Sequence, residues 1–331
     1  KMSSYVMINS FNKNKKTIFV SKLTEKTSSK FMSQSSSYEV LTTIASSQSG
    51  FLSITTRKIT DKEWIITSCW QNLEDIIKWQ SKAEEIIQQT PVCPSINEEL
   101  GARALSQNEV KEMVEDFIVA AVRAERAGFD GVELHGAHGY LLCQFLSSET
   151  NRREDEYGEN LTNRSRILFE ILDGIRQRCH PNFMIGVRLS PERFGMKLED
   201  SVIIAQRLCD EGNIDFLDLS LWDVFKEPIE EDKQGTSLLS YFTEIDRGDV
   251  RLGIAGKIRT PDEVEKAFES GVDWIMLGRA AILHHDFPLL MQNEPKFQPV
   301  TNPVSREHLA KEGLSDKFIE YMASWKGFVT E

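Results

Sequence analysis

The spacing of hydrophobic residues divides the chain into two parts that meet near residue 92. The first part, residues 1–92, contains three β-type runs, at 16–22, 51–59 and 63–70. It also contains two segments of helical spacing, at 37–47 and 72–87. A short polar turn separates the second and third runs, so these two are predicted to pair as a hairpin. The first part is therefore predicted to be a small α+β module with the order β-α-β-β-α.

From Ser106 onward, the pattern becomes a strand followed by a helix, repeated along the chain. Five short apolar runs are typical of strands buried on both faces, at 129–136, 184–190, 214–221, 250–256 and 272–278. Amphipathic stretches precede or separate them, at 106–127, 160–178, 198–211 and 262–270. Capping-box patterns, Ser106 with Glu109 and Thr260 with Glu263, predict where the first and the last of these helices begin.

Strand–helix units in series predict an α/β domain with a parallel sheet, which a doubly wound fold and a (β/α) TIM barrel would both provide. No glycine-rich dinucleotide fingerprint follows the first strand of the series. Polar residues instead follow the C-terminal ends of the strands, which is where barrels carry their active sites. Residues 93–331 are therefore predicted to form a barrel domain.

Composition narrows the classes of function. The 331 residues are 40% hydrophobic and 27% charged, which is typical of a globular protein. A net charge of −12 disfavours nucleic acid and anionic membranes as partners and favours a small-molecule substrate. The five cysteines are scattered and form no C-x-x-C motif, so neither a disulfide framework nor a metal site is expected. Without a recognisable signal peptide or spanning segment, the protein is expected to be cytoplasmic.

The residues that follow each strand give the candidate site. In chain order they are His135, Arg188, Ser220 with Trp222, Gly256 with Lys257, and Gly278 with Arg279. Glycines after the last two strands of a barrel allow backbone N–H groups to approach a phosphate, and Arg279 adds a guanidinium. The alternative is that these glycines only permit tight turns between strand and helix.

The segment after the first strand of the series concentrates side chains that transfer protons. His135, His138 and Tyr140 lie within six residues of one another, so two imidazoles could bind one substrate oxygen and the phenol could deliver a proton. Two other interpretations stay open: the histidines could satisfy backbone carbonyls, or they could bind a metal. No nearby carboxylate completes a three-ligand set with good geometry, which disfavours the metal.

Four long motifs resemble the old yellow enzyme family of FMN-dependent oxidoreductases. They are GFDGVELHGAHGYLLCQFLSSETNRREDEYGENLTNRSR, GVRLSPERF, GIAGKIRTPDEVEKAFESGVDWIMLGRAAI and PVSREHLAKEGLSDKFIEYMASWKGFV, and they occur in the order that the family has them. The resemblance covers about residues 95–331. It implies the FMN-linked type of TIM barrel, although the motifs of that barrel's first three βα units do not occur in this sequence.

The resemblance also implies roles for individual residues. His135 and His138 match the pair that binds the substrate's activating oxygen, and Tyr140 matches the proton donor. Arg188 matches the arginine beside the flavin ring, while the phosphate loops match Gly256, Lys257, Gly278 and Arg279. The implied reaction is the reduction of an activated alkene, with hydride from flavin N5, a proton from Tyr140 and NAD(P)H as the reductant. A scaffold that binds no flavin is the alternative.

Residues 16–88 resemble, more weakly, the ferredoxin-like α+β module of antibiotic-biosynthesis monooxygenases. The resemblance depends on Gly50 to Leu52, on Trp64 to Trp70 and on Asp75 to Trp79. Two incomplete folds that meet near residues 88–95 indicate a gene fusion, a rearranged reading frame or an engineered chimera. If the module forms, it is expected to support a homodimer, and a cofactor-free oxygenase or sensor role is a third hypothesis.

Overall fold

The computed structural model describes residues 17–23, 51–60, 63–70, 91–99 and 101–330. The chain separates into two compact units, Lys1–Thr90 and Pro91–Glu331. None of the helices in the described ranges combines the length and the apolar character needed to cross a bilayer.

In the first unit, the described residues form one antiparallel sheet. Its strands are β1 (Thr17–Leu23), β2 (Phe51–Thr60) and β3 (Glu63–Trp70), in the order β1-β3-β2. Thr60 pairs with Glu63 at the turn, which confirms the predicted hairpin. The helices predicted at 37–47 and 72–87 lie outside the described residues, so the monooxygenase-like module as a whole stays a prediction.

The second unit begins with two short strands and then alternates helices with the strands of a parallel sheet. The short strands are β4 (Val92–Cys93) and β5 (Arg103–Ala104), which pair with each other. The parallel sheet has five strands in the order β10-β9-β8-β7-β6, namely β6 (Gly131–Gly136), β7 (Met184–Leu189), β8 (Phe216–Ser220), β9 (Arg251–Ala255) and β10 (Trp274–Met276). All five strands of the predicted series are thus confirmed, with slightly shorter bounds.

Ten helices lie in the described part of this unit. In chain order they are α1 (Gln107–Arg126), α2 (Leu141–Leu146), α3 (Leu161–Arg178), α4 (Leu198–Asp210), α5 (Ser240–Thr243), α6 (Pro261–Glu269), α7 (Arg279–Leu283), α8 (Phe287–Asn293), α9 (Arg306–Lys311) and α10 (Asp316–Ala323). Both predicted capping boxes form, because Ser106 and Thr260 each accept a hydrogen bond from the backbone three residues on.

The two faces of the parallel sheet differ in character. One face is buried and apolar, and it contributes Leu134, Ile185, Val187, Leu189, Leu217, Leu219, Leu252 and Ile254 to the core. The alternate positions face the other way and include Glu133, His135, Arg188 and Asp218. The expectation that the strands would be buried on both faces is therefore wrong for β6, where Glu133 is exposed on the second face. Because the strands are short and rich in apolar residues, the alternation of apolar and polar side chains is not evident in their sequences.

Glycine makes room for aromatic rings on the second face. A side chain at Gly186 would place its Cβ 1.9 Å from the Phe216 ring, and one at Gly253 would meet the Trp274 ring at 2.3 Å. The Phe216 and Trp274 rings pack edge to face with centroids 5.4 Å apart. Small and large residues thus alternate across β7 to β10, which fills the space in front of these strands.

We expect Gly186→Ala to destabilise the protein by about 1–3 kcal/mol, because the added methyl group overlaps the Phe216 ring. Chemical denaturation of the full chain measures the change. In a Phe216→Leu background the same substitution should cost clearly less, since the ring that it meets is gone. Equal costs in the two backgrounds would show that the Gly186–Phe216 contact does not set the packing of this face.

Candidate functional site

The strand register brings the predicted residues to one edge of the sheet. His135 on β6 pairs with Arg188 on β7, while Ser220 on β8 pairs with Ala255 on β9. Ala255 in turn pairs with Met276 on β10. Because the strands are parallel, the segments that follow them emerge at the same edge.

A cavity of about 280 Å³ lies at that edge. Six of the predicted site residues line it: His138, Arg188, Gly256, Lys257, Gly278 and Arg279. Ser220 and Trp222, which sequence analysis also singled out, line it as well. His135 and Tyr140 do not line the cavity itself. The His135 ring lies beside that of His138, and the Tyr140 ring lies beside that of His135.

His135, His138 and Tyr140 form one cluster of rings. The ring centroid of His135 lies 5.0 Å from that of His138 and 5.3 Å from that of Tyr140. The backbone N–H of His138 donates to Ser190 Oγ at 3.0 Å, which ties this turn to the end of β7. Tyr140 is 62% exposed and stands at the N-cap of α2. The phenol is therefore open to a bound molecule.

Both imidazoles of the cluster favour the neutral form. Burial, followed by the charge of Arg188, lowers the pKa of His135. Burial also lowers the pKa of His138, with further contributions from His135 and Arg188. A neutral imidazole has one N–H, so each ring can donate one hydrogen bond to a carbonyl oxygen at neutral pH.

Arg188 is held in position by Ser220. Its Nε donates to Ser220 Oγ at 2.8 Å, which leaves the two terminal nitrogens of the guanidinium available to a ligand. The serine thereby fixes the plane of the guanidinium at the junction of β7 and β8.

A pair of carboxyl groups lies one layer below this arginine. Partial burial, and then the hydrogen bond and charge of Asp218, raise the pKa of Glu133 to about 8 even though Arg188 opposes the shift. Asp218 is only 2% exposed, and its Oδ1 has no hydrogen-bond partner among the described residues. At neutral pH Glu133 therefore keeps its proton.

The two predicted phosphate loops differ in how much room they leave. A Cβ at Gly278 would meet none of the described residues within 4 Å, so this glycine borders open space beside them. A Cβ at Gly256 would lie 2.9 Å from the backbone nitrogen of Asp223, so close packing alone explains that glycine. Lys257 Nζ lies 3.3 Å from Asp223 Oδ2, and the guanidinium carbon of Arg279 lies 5.4 Å from the centroid of the Trp325 ring.

Strained backbone is concentrated around the cavity. Five of the six non-glycine residues with positive φ in the described ranges line it, namely His138, Arg193, Phe194, Trp222 and Lys257. Such conformations each cost about 1–3 kcal/mol and persist where the surrounding structure holds them, most often at functional sites. This observation marks the cavity independently of the chemistry of its side chains.

A possible metal-ligand group occurs elsewhere. Among the side chains that the structure describes, one group of three potential ligands has its atoms within 4.8 Å of one another: His285, Asp286 and Glu312. His285 Nδ1 already lies 2.8 Å from Glu312 Oε2, so an ion pair explains this group. His135 and His138 belong to no such group within the described residues.

Sequence reasoning missed several residues that shape the site. Glu133 and Asp218 precede His135 and Ser220 by two positions, so the period of a strand could have placed them on the same face. Arg193 and Phe194 also border the cavity, but their position depends on two successive left-handed residues. No local pattern predicts such a turn at non-glycine residues.

Comparison with known proteins gives a family. Residues 72–295 match the NADH:flavin oxidoreductase / NADH oxidase family. An NADH oxidase of Thermoanaerobacter brockii is 35% identical over 194 residues, which cover 56% of this chain and 30% of the relative. A probable flavin mononucleotide-dependent alkene reductase of Leishmania infantum is 36% identical over 189 residues, 55% of this chain and 49% of the relative.

Solved structures support the barrel-type fold. Morphinone reductase in complex with tetrahydroNAD superposes with a TM-score of 0.52 at 27% identity, covering 68% of this chain and 65% of that one. An old yellow enzyme homologue from Zymomonas mobilis superposes with a TM-score of 0.54 at 24% identity, covering 69% and 72%, which shows the fold alone. The chain spans about a quarter to a half of the curated relatives that it matches.

The raised pKa of Glu133 makes stability depend on pH. Below the pKa of an unfolded glutamate both states hold the proton, and as the pH rises towards 8 only the folded state retains it, so stability falls over that window. We expect Glu133→Gln to flatten the decline and to stabilise the protein at pH 8 by roughly 1 kcal/mol, after allowance for solvent screening. Denaturation midpoints at pH 5 and pH 8 measure this. Parallel curves for both proteins would contradict it.

Proposed function

This chain belongs to the NADH:flavin oxidoreductase / NADH oxidase family, and on that premise we propose that its second unit is an FMN-dependent oxidoreductase that reduces activated alkenes with NAD(P)H. The observation that carries the proposal is the grouping of His135, His138 and Tyr140 beside the cavity that Arg188 and Arg279 line. A small-molecule alkene and the nicotinamide are its proposed partners. The homodimer and the cytoplasmic location stay predictions.

The side chains around the cavity fit FMN. Gly278 borders space that a side chain would fill, and the neighbouring Arg279 can pair with a phosphate in that space. Arg188, fixed by Ser220, directs a permanent cation into the same cavity, where it would favour the anionic form of a flavin ring. Lys257 fits less well than expected, because Asp223 already neutralises part of its charge.

When bound, FMN supplies the hydride chemistry that the amino acids lack. His135 and His138, held neutral by their lowered pKa, bind the carbonyl oxygen of the substrate and polarise the alkene. Tyr140, next to His135 and open to solvent, holds the proton that the substrate carbon receives. The protein thus orients the alkene, stabilises charge on its oxygen and donates one proton.

We expect the purified full chain to be yellow and to bind FMN with quenched fluorescence. Adding NADH or NADPH without oxygen should bleach the flavin absorbance, and adding cyclohex-2-enone should restore it. Colourless protein that does not take up FMN would support the alternative of a non-catalytic scaffold. If NADH or NADPH reduces the flavin but enones do not reoxidise it, alkene reduction would be contradicted, and the protein could still act as an oxidase.

Tyr140→Phe should slow the reoxidation of the reduced protein by an enone on the order of 100-fold, because the phenolic proton is lost. Reduction by NADH needs no such proton and should remain near the rate of the unmodified protein. Stopped-flow absorbance measures the two half-reactions separately. Tyr241→Phe is a matched control, since its phenol donates to the carbonyl of Lys233 away from the cluster. Equal slowing of both half-reactions would remove Tyr140 from its role.

A further inference from the structure

The cavity carries more positive charge than its carboxylates neutralise. Four arginines line it, Arg188, Arg193, Arg259 and Arg279. None of them forms an ion pair with a carboxylate among the side chains that the structure describes. The acidic residues nearby are engaged elsewhere, because Glu192 pairs with Lys226 and Asp223 pairs with Lys257.

Three of the four arginines have a place in the proposed function or in the fold around it. Arg188 and Arg279 are the cations proposed for the flavin ring and its phosphate. Arg259 lies on the same side as the phosphate loops, three residues after Gly256. Arg193 has no such role, so it is the cation left for a different ligand.

Arg193 lies on the histidine side of the cavity. Its guanidinium carbon is 4.7 Å from the centroid of the Trp222 ring. The neighbouring Phe194 packs edge-on to His138 with ring centroids 6.4 Å apart, and its ring touches the position where Gly139 would carry a Cβ. The arginine therefore stands close to the residues that are proposed to bind the substrate oxygen.

The loop that carries Arg193 is braced from both sides. Glu192, 5% exposed, pairs with Lys226 and accepts from the Ile229 N–H at 2.7 Å. On the other side, Ser147 Oγ donates to the Gly195 carbonyl at 2.9 Å. Arg193 itself has a φ of 69° and pairs back onto Met196.

This bracing fixes the backbone that carries the cation before any ligand arrives. A guanidinium that rests on an aromatic ring, on a backbone held in the left-handed region, loses little further freedom when it binds. Arg193 is exposed where it lines the cavity, so a carboxylate can reach its guanidinium and form a charge-assisted pair of hydrogen bonds.

We propose that Arg193 determines substrate specificity by binding a carboxylate on the alkene substrate, so that the preferred substrates are enoates carrying a second activating carbonyl. The inference rests on the proposed function for the position of the substrate. It goes beyond that function by naming the chemical class that the site prefers. The recognition is an ion pair between the Arg193 guanidinium and a carboxylate, with Trp222 holding the guanidinium in place.

The test compares a charged ligand with its neutral ester. Calorimetric titration of the protein as purified with 4-oxopentanoate and with its methyl ester measures binding without turnover. We expect the acid to bind more tightly than the ester, and Arg193→Gln to reduce that preference about 10- to 100-fold. Arg193→Lys should retain part of it, since the charge remains while the planar fork is lost.

Arg251→Gln is the matched control. Arg251 is exposed at the start of β9, at the opposite end of the strand from the cavity, and its removal changes the net charge equally. This control should retain the full preference for the acid. In turnover assays, the ratio of kcat/KM for 4-oxopent-2-enoate over its methyl ester should fall in Arg193→Gln and stay constant in Arg251→Gln.

Two results would overturn the inference: no preference for the acid in the unmodified protein, or a preference that survives Arg193→Gln. If the preference survives and that variant also binds NADH more weakly, the cation would be assigned to a phosphate of the nicotinamide. Protein that holds no FMN but still prefers the acid through Arg193 would uphold the inference and reject the proposed function. Protein that turns over enones with no acid preference would uphold the proposed function and reject the inference.

Discussion

The pairing register of the five parallel strands is the constraint on which the site depends. Side chains alternate between the faces of a strand, so one residue of slippage on β7 would turn Arg188 into the apolar core and Val187 towards the ligand. The buried leucines, isoleucines and valines of the other face oppose such a shift with about 1.5–3 kcal/mol for each side chain. The hydrophobic core therefore fixes the positions of the polar residues that could carry the chemistry.

Charge on the polar face is arranged in layers. Glu133 and Asp218 lie below Arg188, and the raised pKa of Glu133 keeps this carboxyl group protonated at neutral pH, so Glu133 does not neutralise the arginine. Burial, together with the charge of Arg188, lowers the pKa of His135 and of His138. Arg188 thus favours the ionised form of Glu133 below it and the neutral form of the two imidazoles above it, while burial is the larger cause at all three groups.

The sequence predicted what local rules encode. Periodicity and capping boxes placed all five parallel strands and the helices that begin after Ser106 and Thr260. It also predicted which residues follow the strands. These residues lie close together because the C-terminal ends of parallel strands meet at one edge of the sheet. It did not predict the pairing of Lys257 with Asp223, or the carboxyl pair, since these depend on distances between strands. Arg193 escaped notice because nothing in SPERFG marks its left-handed backbone.

That backbone strain links specificity to stability. Arg193, Phe194 and Trp222 hold conformations that cost free energy, and they hold them because the adjacent contacts are strong: Glu192 with Lys226 on one side and Ser147 with Gly195 on the other. A residue at Gly195 with a Cβ would meet Ser147 Oγ at 2.3 Å, so the turn tolerates no side chain there. The loop after β7 is thus held by contacts on both sides, and it places the Phe194 ring against His138 and Arg193 at the same cavity. A guanidinium carried on a constrained backbone loses less conformational entropy when it binds a carboxylate, so it discriminates between ligands by charge more sharply than a mobile cation does.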